Sequence, residues 1–218
     1  LMIVKLNRHQ NEATIYNCDS NTGKASVIKK KKSKAWIDVF DISSGVYDGF
    51  SCTLVDNGKS FLWSSDADGW MHVYKISMDG KKKELITKDS FDSYFLAYNK
   101  ETKTIYSSSS PTDATQRYLY ETNLDTKKTK RTTPAEFDGT NAYTFSPDGA
   151  FAKHNNSNIN RNWNTRLVAL KNHEKIFPLG KDNFVKPERD YSLEKFKVKT
   201  IDNVELDGIM AKPLDFDP

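Results

Sequence analysis

The sequence is poor in almost everything that would mark a helical, disulfide-stapled or self-sufficient catalytic domain. Cysteine occurs twice in 218 residues, at Cys18 and Cys52. Two isolated cysteines without framework spacing are expected to stay as thiols, and they do not decide the compartment. No apolar run is long enough to cross a bilayer. Leu1-Met2-Ile3-Val4 lacks the charged region and longer apolar core of a leader, so it is read as the start of a strand, and the chain as excised from something longer. No stretch carries the 3.6-residue periodicity that helices or helical repeats would show. None of the ten glycines stands in a G-x-S-x-G nucleophile elbow: Gly49-Phe50-Ser51-Cys52-Thr53 lacks the second glycine. His9, His72, His154 and His173 have no metal partner at i+2 or i+4, so neither a metal site nor a cofactor is expected.

Charge is plentiful but nearly balanced, with 33 Lys and Arg against 29 Asp and Glu. The one dense run is Lys29-Lys30-Lys31-Lys32-Ser33-Lys34 at the end of a strand. Nucleic-acid sites usually interleave basic residues with aromatics or follow a helix, so this run reads as a solvated loop and no nucleic-acid partner is expected.

What the chain has is short strands and turns. The unit around which it is built covers residues 51–88. Strands are expected over 52–55, 61–65, 70–76 and 83–87, separated by Asp56-Asn57-Gly58, a polar loop through Asp68-Gly69, and Met78-Asp79-Gly80. Asn-Gly and Asp-Gly between apolar runs are strong hairpin signals, because glycine supplies the positive φ of a tight turn. Four antiparallel strands in under forty residues is the size of one β-propeller blade.

The unit recurs. Phe61-Leu62-Trp63-Ser64-Ser65 lines up with Thr104-Ile105-Tyr106-Ser107-Ser108, 43 residues on. Val73-Tyr74-Lys75 lines up with Leu119-Tyr120-Glu121 and then Leu167-Val168-Ala169, at spacings of 46 and 48. Met78-Asp79-Gly80 has counterparts in Leu124-Asp125-Thr126 and Lys171-Asn172-His173, and Asp56-Asn57-Gly58 in Ser146-Pro147-Asp148-Gly149. A strand-only repeat in the forties favours propeller blades over a sandwich, which has no reason to repeat a turn at that spacing. The fold class expected is all-β: a partial propeller of about four blades, the first incomplete. Twelve Phe, ten Tyr and four Trp supply its core, and Trp70 is expected to be either a blade-core aromatic or an exposed functional residue. Residues 35–43 read as a strand or linker, 107–115 as a polar loop, 153–165 as a long Asn-rich loop, and 184–191 as a linker. From residue 191 the character changes to a hairpin with longer strands around Asp202-Asn203.

Individual polar residues mostly have plain readings. His72, between Trp70 and Tyr74, is expected to make a structural hydrogen bond. Asp66-Ala67-Asp68-Gly69 resembles part of a calcium loop but lacks the later ligands, so a turn is expected.

The ordered series Leu6-Asn7-Arg8-His9-Gln10-Asn11, Ser65-Asp66-Ala67-Asp68-Gly69-Trp70-Met71-His72-Val73-Tyr74, Phe145-Ser146-Pro147-Asp148-Gly149 and the terminal hairpin with Lys212-Pro213 and Phe216-Asp217-Pro218 resembles the dipeptidyl peptidase IV family of prolyl-oligopeptidase-like serine peptidases, bacterial members especially. That resemblance implies an eight-bladed propeller above an α/β-hydrolase domain that removes dipeptides after a penultimate proline. It divides this chain into propeller (1–190) and the opening of the hydrolase domain (191–218). It places the triad and the amino-terminus-anchoring glutamates outside the chain, so no catalytic residue is expected here. Phe40 and Asp41 match by position a Phe-Arg pair that lines the extended substrate pocket in animal members. The arginine is missing, so only an aromatic wall carries over, and Phe40 as an ordinary core residue is the other reading. Asp66-Ala67 stands where the bacterial pattern has Glu-Arg. The partners implied are a peptide substrate and the chain's own hydrolase domain, in a periplasmic or secreted location. Dipeptidyl and tripeptidyl preference stay open. The rival reading is a non-enzymatic periplasmic propeller scaffold or protein-interaction module, for which the terminal hairpin has no use. Open sheet edges and uncovered Phe145, Phe151 and Trp163 also lead to an expectation of self-association.

Overall fold

A computed structural model describes residues 1–37, 52–178 and 190–217. The regular structure there is almost entirely antiparallel strand. β1 (Met2–Leu6), β2 (Glu12–Cys18) and β3 (Ala25–Lys32) form a three-stranded sheet. β4 (Thr53–Val55), β5 (Ser60–Ser65), β6 (His72–Ser77) and β7 (Lys83–Leu85) form the second, in sequential order. β8 (Ser93–Asn99), β9 (Thr104–Ser109), β10 (Tyr118–Asn123) and β11 (Thr129–Arg131) form the third. β12 (Thr140–Phe145), β13 (Phe151–Asn158), β14 (Arg161–Ala169) and β15 (Glu174–Pro178) form the fourth. β16 (Tyr191–Lys199) and β17 (Glu205–Pro213) make a separate hairpin.

The chain divides into two compact units. Unit 1 comprises residues 1–109 and 120–130; unit 2 comprises residues 110–119 and 131–218. In unit 1, β5 is buried on both faces. Phe61 and Trp63 join Ile15, Ile28, Tyr74 and Ile76 in one cluster, while Leu62 points the other way into a second with Val55, Val73, Ile86, Phe95, Ile105 and Leu124. A strand packed on both sides loses the apolar-polar alternation of a half-buried one, which is why 61–63 reads as an unbroken apolar run.

The turns anticipated at Asp56-Asn57-Gly58, Met78-Asp79-Gly80 and Ser146-Pro147-Asp148-Gly149 all join adjacent strands of a sheet. Gly58 sits at φ +81 with Asp56 and Asn57 also left-handed, a backbone that a β-branched residue would not adopt without strain. In the terminal hairpin, Gly208 lies opposite Phe196, and a Cβ at Gly208 would fall 2.4 Å from the ring. Glycine there lets the aromatic lie flat across the partner strand. Cys18 and Cys52 are thiols, as expected.

Three expectations need correction. Residues 153–165 are not a long loop: β13 and β14 run through them with a tight turn at 159–160. Their asparagines read as loop because asparagine disfavours strands, but Asn156 and Asn164 are buried and Asn156 is held by side-chain hydrogen bonds. Ser107–Ser109 end β9 and are each buried, so the polar loop begins at Ser110. The lysine run is mostly strand, Lys29–Lys32 lying in β3. Of the two readings of Trp70 the structure gives the exposed one, at 42%, whereas Trp63 is 3% exposed. Phe151 and Trp163 are exposed as expected; Phe145 is partly covered. Phe40, Asp41 and most of the 184–191 stretch lie outside the described residues.

Candidate functional site

Each sheet alternates its connections between two ends. In the four-stranded sheets the first-to-second and third-to-fourth turns are at one end and the second-to-third loops at the other; in the three-stranded sheet the β1–β2 loop lies at this second end, beside the segment leaving β3. In unit 1 this second end gathers the segments richest in polar and aromatic side chains: residues 7–11, residues 66–71, and residues 33–37 leaving β3.

Asn7 fixes the first of these. Its side chain donates to Asn11 Oδ1 at 2.7 Å and accepts from the amides of Asn11 and Glu12, each at 3.1 Å. Gln10 takes a left-handed φ of 52°, and its carbonyl accepts the Ile37 amide at 2.6 Å. The loop therefore displays Arg8 and His9 outward, and it anchors the segment carrying Trp36, which is 59% exposed.

The 66–71 loop is built from its carboxylates. Gly69 closes a turn onto the Asp66 carbonyl at 3.0 Å. The Asp66 carboxylate accepts from Lys31 Nζ at 2.5 Å, and that bond holds its pKa below the usual range. At Asp68 burial opposes ionisation, but hydrogen bonds from His72 and Tyr74 outweigh it and the carboxyl stays below its usual range. His72 Nδ1 donates to Asp68 Oδ2 at 2.9 Å from a ring that is 2% exposed. Burial, and then the Asp68 charge, push the Tyr74 phenol up to about 12. His72 thus makes the structural bond expected of it, and Asp66-Asp68 is a turn whose charges are used within the fold. Asp92 completes the frame. Its carboxylate accepts the Met71 amide at 2.7 Å and the Tyr94 hydroxyl at 3.1 Å, tying this loop to the start of β8. Trp70 is left projecting from a braced loop.

In unit 2 the corresponding end is the 110–117 loop between β9 and β10. It borders a cavity of about 450 Å³ lined by Thr112, Asp113, Thr115, Lys195, Lys197 and Asp207. Lys195 Nζ lies 3.5 Å from Thr115 Oγ1. The loop thus meets the β16–β17 hairpin.

The other cluster, in unit 2, is interior and went unnoticed in the sequence because its members are spread over β12, β13 and the turn before β15. His154 stacks on Tyr143 with ring centroids 4.4 Å apart, and His173 lies edge-on to His154 at 4.9 Å. Asn141 Nδ2 donates to the carbonyls of Arg117 and Phe137, each at 2.9 Å, so its Oδ1 is the acceptor for His154 Nε2 at 2.8 Å. His154 must then carry its proton on Nε2, and Nδ1 is buried with no hydrogen-bond partner. Burial, then His173 and the buried Arg166, depress the His154 pKa to about 2. Burial likewise lowers His173, whose Nε2 meets the Tyr143 hydroxyl at 2.8 Å. These imidazoles are neutral packing groups.

Neither cluster presents an exposed nucleophile to a base, the Tyr143–His173 pair being buried, and among the described residues no group of three or more His, Cys, Asp or Glu could hold a metal ion. The exposed groups at the loop end can recognise: indoles offer flat apolar surface and an N–H, and Arg8 and His9 offer donors.

Comparison with known proteins agrees with this architecture. Dipeptidyl peptidase 4 of Arthroderma otae is 28% identical over 222 residues, covering 97% of this chain and 27% of that protein. The crystal structure of Porphyromonas gingivalis dipeptidyl peptidase 4 superposes with a TM-score of 0.82 at 22% identity, over 99% of this chain and 30% of that one. A putative dipeptidyl aminopeptidase IV from Bacteroides ovatus gives 0.77 at 18%, over 99% and 32%. The fold is that of a partial β-propeller, and the chain spans only about a quarter to a third of these relatives. Residues 1–163 match the dipeptidyl peptidase IV (DPP IV) N-terminal region, and the chain belongs to that family.

Proposed function

We propose that this chain is the substrate-presenting part of a dipeptidyl-peptidase-IV-like serine exopeptidase, working in the periplasm or outside the cell, whose intact form releases N-terminal X-Pro dipeptides. Residues 1–190 are its propeller portion and residues 191–218 open its hydrolase domain. The propeller positions a short peptide by contacts remote from the bond being cleaved, a role that contributes through orientation rather than through bond chemistry. Phe40 supplies an aromatic wall of the pocket, with Asp41 beside it.

The observation that carries this reading is the convergence at one end of the blades. Trp36 and Trp70 are both exposed there, and Ile37, three residues before Phe40, is anchored to the 7–11 loop. In unit 2 the same kind of loop faces the hairpin across the cavity at Thr112–Thr115 and Lys195–Lys197. The hairpin itself leaves Phe196, Val198, Leu206 and Ile209 at least 41% exposed. That much apolar surface on a two-stranded hairpin suits an element that packs within a further domain.

The test uses the parent enzyme. Phe40→Ala should raise KM for a glycyl-prolyl chromogenic substrate roughly tenfold while kcat changes less than about twofold, because an aromatic wall contributes binding alike in ground and transition states. The 218-residue chain alone should not hydrolyse it. Unchanged KM in the Phe40 variant would remove that residue from the pocket, and turnover by the 218-residue chain would overturn the division of labour.

A further inference from the structure

Two lysine runs far apart in sequence meet on one rim of unit 1. β3 carries Lys29, Lys30, Lys31 and Lys32, and the segment entering β7 carries Lys81, Lys82 and Lys83. A close backbone approach brings them together. Gly80, at φ +72, abuts the Ile28 carbonyl so tightly that a Cβ there would lie 2.0 Å from the oxygen. The two runs are therefore brought close where Ile28 and Lys29 meet Gly80 and Lys83, while Lys31 and Lys32 continue along the edge toward Asp66 and Glu12. Lys29 registers the consequence: burial first, then the charges of Lys83 and Lys31, lower its pKa.

Neutralisation of this rim is incomplete. Asp66 takes Lys31 and Glu12 takes Lys32. The other nearby carboxylates are engaged elsewhere. Asp79 accepts from the Ser77 hydroxyl and the Lys81 amide, and Glu84 pairs with Lys75 and Lys127. Lys83 lies 3.8 Å above the Tyr74 ring. Among the described residues, no ion pair forms at Lys29, Lys30, Lys81, Lys82 or Lys83. β3 and β7 are both edge strands, and lysines on an edge discourage pairing with another sheet. That accounts for a few lysines on each edge. It gives no reason to press two such runs against each other, where like charges repel.

We propose that this lysine rim docks the protein on an anionic phospholipid surface. The composition of the rim selects that partner. It contains seven lysines and no arginine, with no aromatic residue inside either run. Lysine is a compact, strongly hydrated point charge without the planar fork that reads phosphates or bases by shape. Single-stranded nucleic acid would call for aromatic stacking platforms, and duplex recognition for forked arginines or an inserted element. A field of lysines suits a surface whose negative charge is diffuse, and clusters of four to eight beside a leaflet are attracted in this way. The proposal is independent of the peptidase reading, because docking through this rim requires no substrate.

Flotation of the 218-residue chain tests it, with vesicles of phosphatidylcholine plus phosphatidylglycerol against vesicles of phosphatidylcholine alone. Binding should be confined to the anionic vesicles and fall steeply with added salt. The triple variant Lys30→Gln, Lys81→Gln, Lys82→Gln, at exposed positions, should partition roughly a hundredfold more weakly, at about fivefold per lysine. A charge-matched control, Lys5→Gln, Lys88→Gln, Lys100→Gln, at exposed positions of unit 1 outside the two runs, should stay within about threefold of the unmodified chain. Circular dichroism confirms that both triples keep their strand content. No flotation with anionic vesicles overturns the proposal, as does equal weakening by both triples, which would reduce the effect to net charge. Displacement by millimolar inorganic phosphate would assign the rim to free phosphate, and equally tight binding to duplex DNA would assign it to nucleic acid; either result overturns the lipid assignment.

Discussion

His72 in unit 1 and His154 in unit 2 are both buried strand residues, at 2% and 0% exposure, yet their surroundings treat them in opposite ways. His72 is given a carboxylate: Asp68, at the surface, sits on Nδ1 and also takes the Tyr74 hydroxyl, with the Lys31–Asp66 pair in the same loop. His154 is given an amide oxygen on Nε2, nothing on Nδ1, a phenol ring against its face and a buried guanidinium nearby. The first arrangement braces a loop that displays an indole to solvent. The second holds a sheet interior together and would be disrupted by a proton. The difference teaches that a polar residue inside a blade can serve the rim or the core, and its partner decides which.

The largest effect expected comes from breaking the interior cluster at its hub. Asn141 donates to carbonyls of the 117–139 region and accepts from His154 and Asn156. Asn141→Ala would leave several buried groups without partners at once and should cost about 3–5 kcal/mol, at one to three per orphaned group with partial relaxation. A urea titration reports it. A loss under about 1 kcal/mol would mean that water enters and replaces the amide.

Protons sharpen the same comparison. His154 has a folded-state pKa of about 2 against an unfolded value near 6.5, so between those values the unfolded chain binds the proton more readily. Its contribution is therefore complete above about pH 6.5 and diminishes as pH falls. At pH 5 the loss should be about 2 kcal/mol, from one and a half pH units at 1.36 kcal/mol each. His173, lowered also, adds in the same direction. Urea midpoints at pH 7 and pH 5 measure the slope, and His154→Gln should remove a large part of it. A slope unchanged in that variant would place the acid sensitivity elsewhere.

At the rim the stakes are smaller. Asp68→Asn keeps the shape of the loop but replaces the charged acceptor of His72 and Tyr74. Asp68 is partly exposed and water can substitute, so the expected cost is about 1 kcal/mol. A cost as large as that of Asn141→Ala would erase the distinction between the two clusters.

Much of this organisation was legible because the turns are local. Asn57-Gly58, Asp79-Gly80 and Asp148-Gly149 specify hairpins from their own φ requirements, and the blade repeat follows from their spacing. The interior cluster was illegible for the converse reason. Asn141, His154 and Asn156 look like loop residues one at a time, and they become strand residues only once the Arg117 carbonyl and the 137–141 segment supply their hydrogen bonds. Tertiary context overrides propensity there. The lysine run failed similarly: nothing in Lys29–Lys32 announces that β2 will pair with it as an edge strand.

Trp70 makes the smallest prediction and the clearest test of what a strand boundary decides. The sequence places it at the head of an apolar strand and leaves two readings: if it filled the blade, Trp70→Ala would cost about 3–5 kcal/mol as a large-to-small core change. In the structure β6 begins two residues later, at His72, because Asp66-Gly69 closes its turn and Asp92 captures the Met71 amide. Trp70 is thereby left in the loop, 42% exposed, and the interior position is held by Trp63. Trp70→Ala should then cost under about 0.5 kcal/mol, the usual range for a surface position, while Trp63→Ala should cost about 3–5. Denaturant midpoints of the two variants, measured side by side, separate the cases. Equal losses would return Trp70 to the core and remove it from the recognition surface, whereas a wide gap leaves its indole free to meet a ligand.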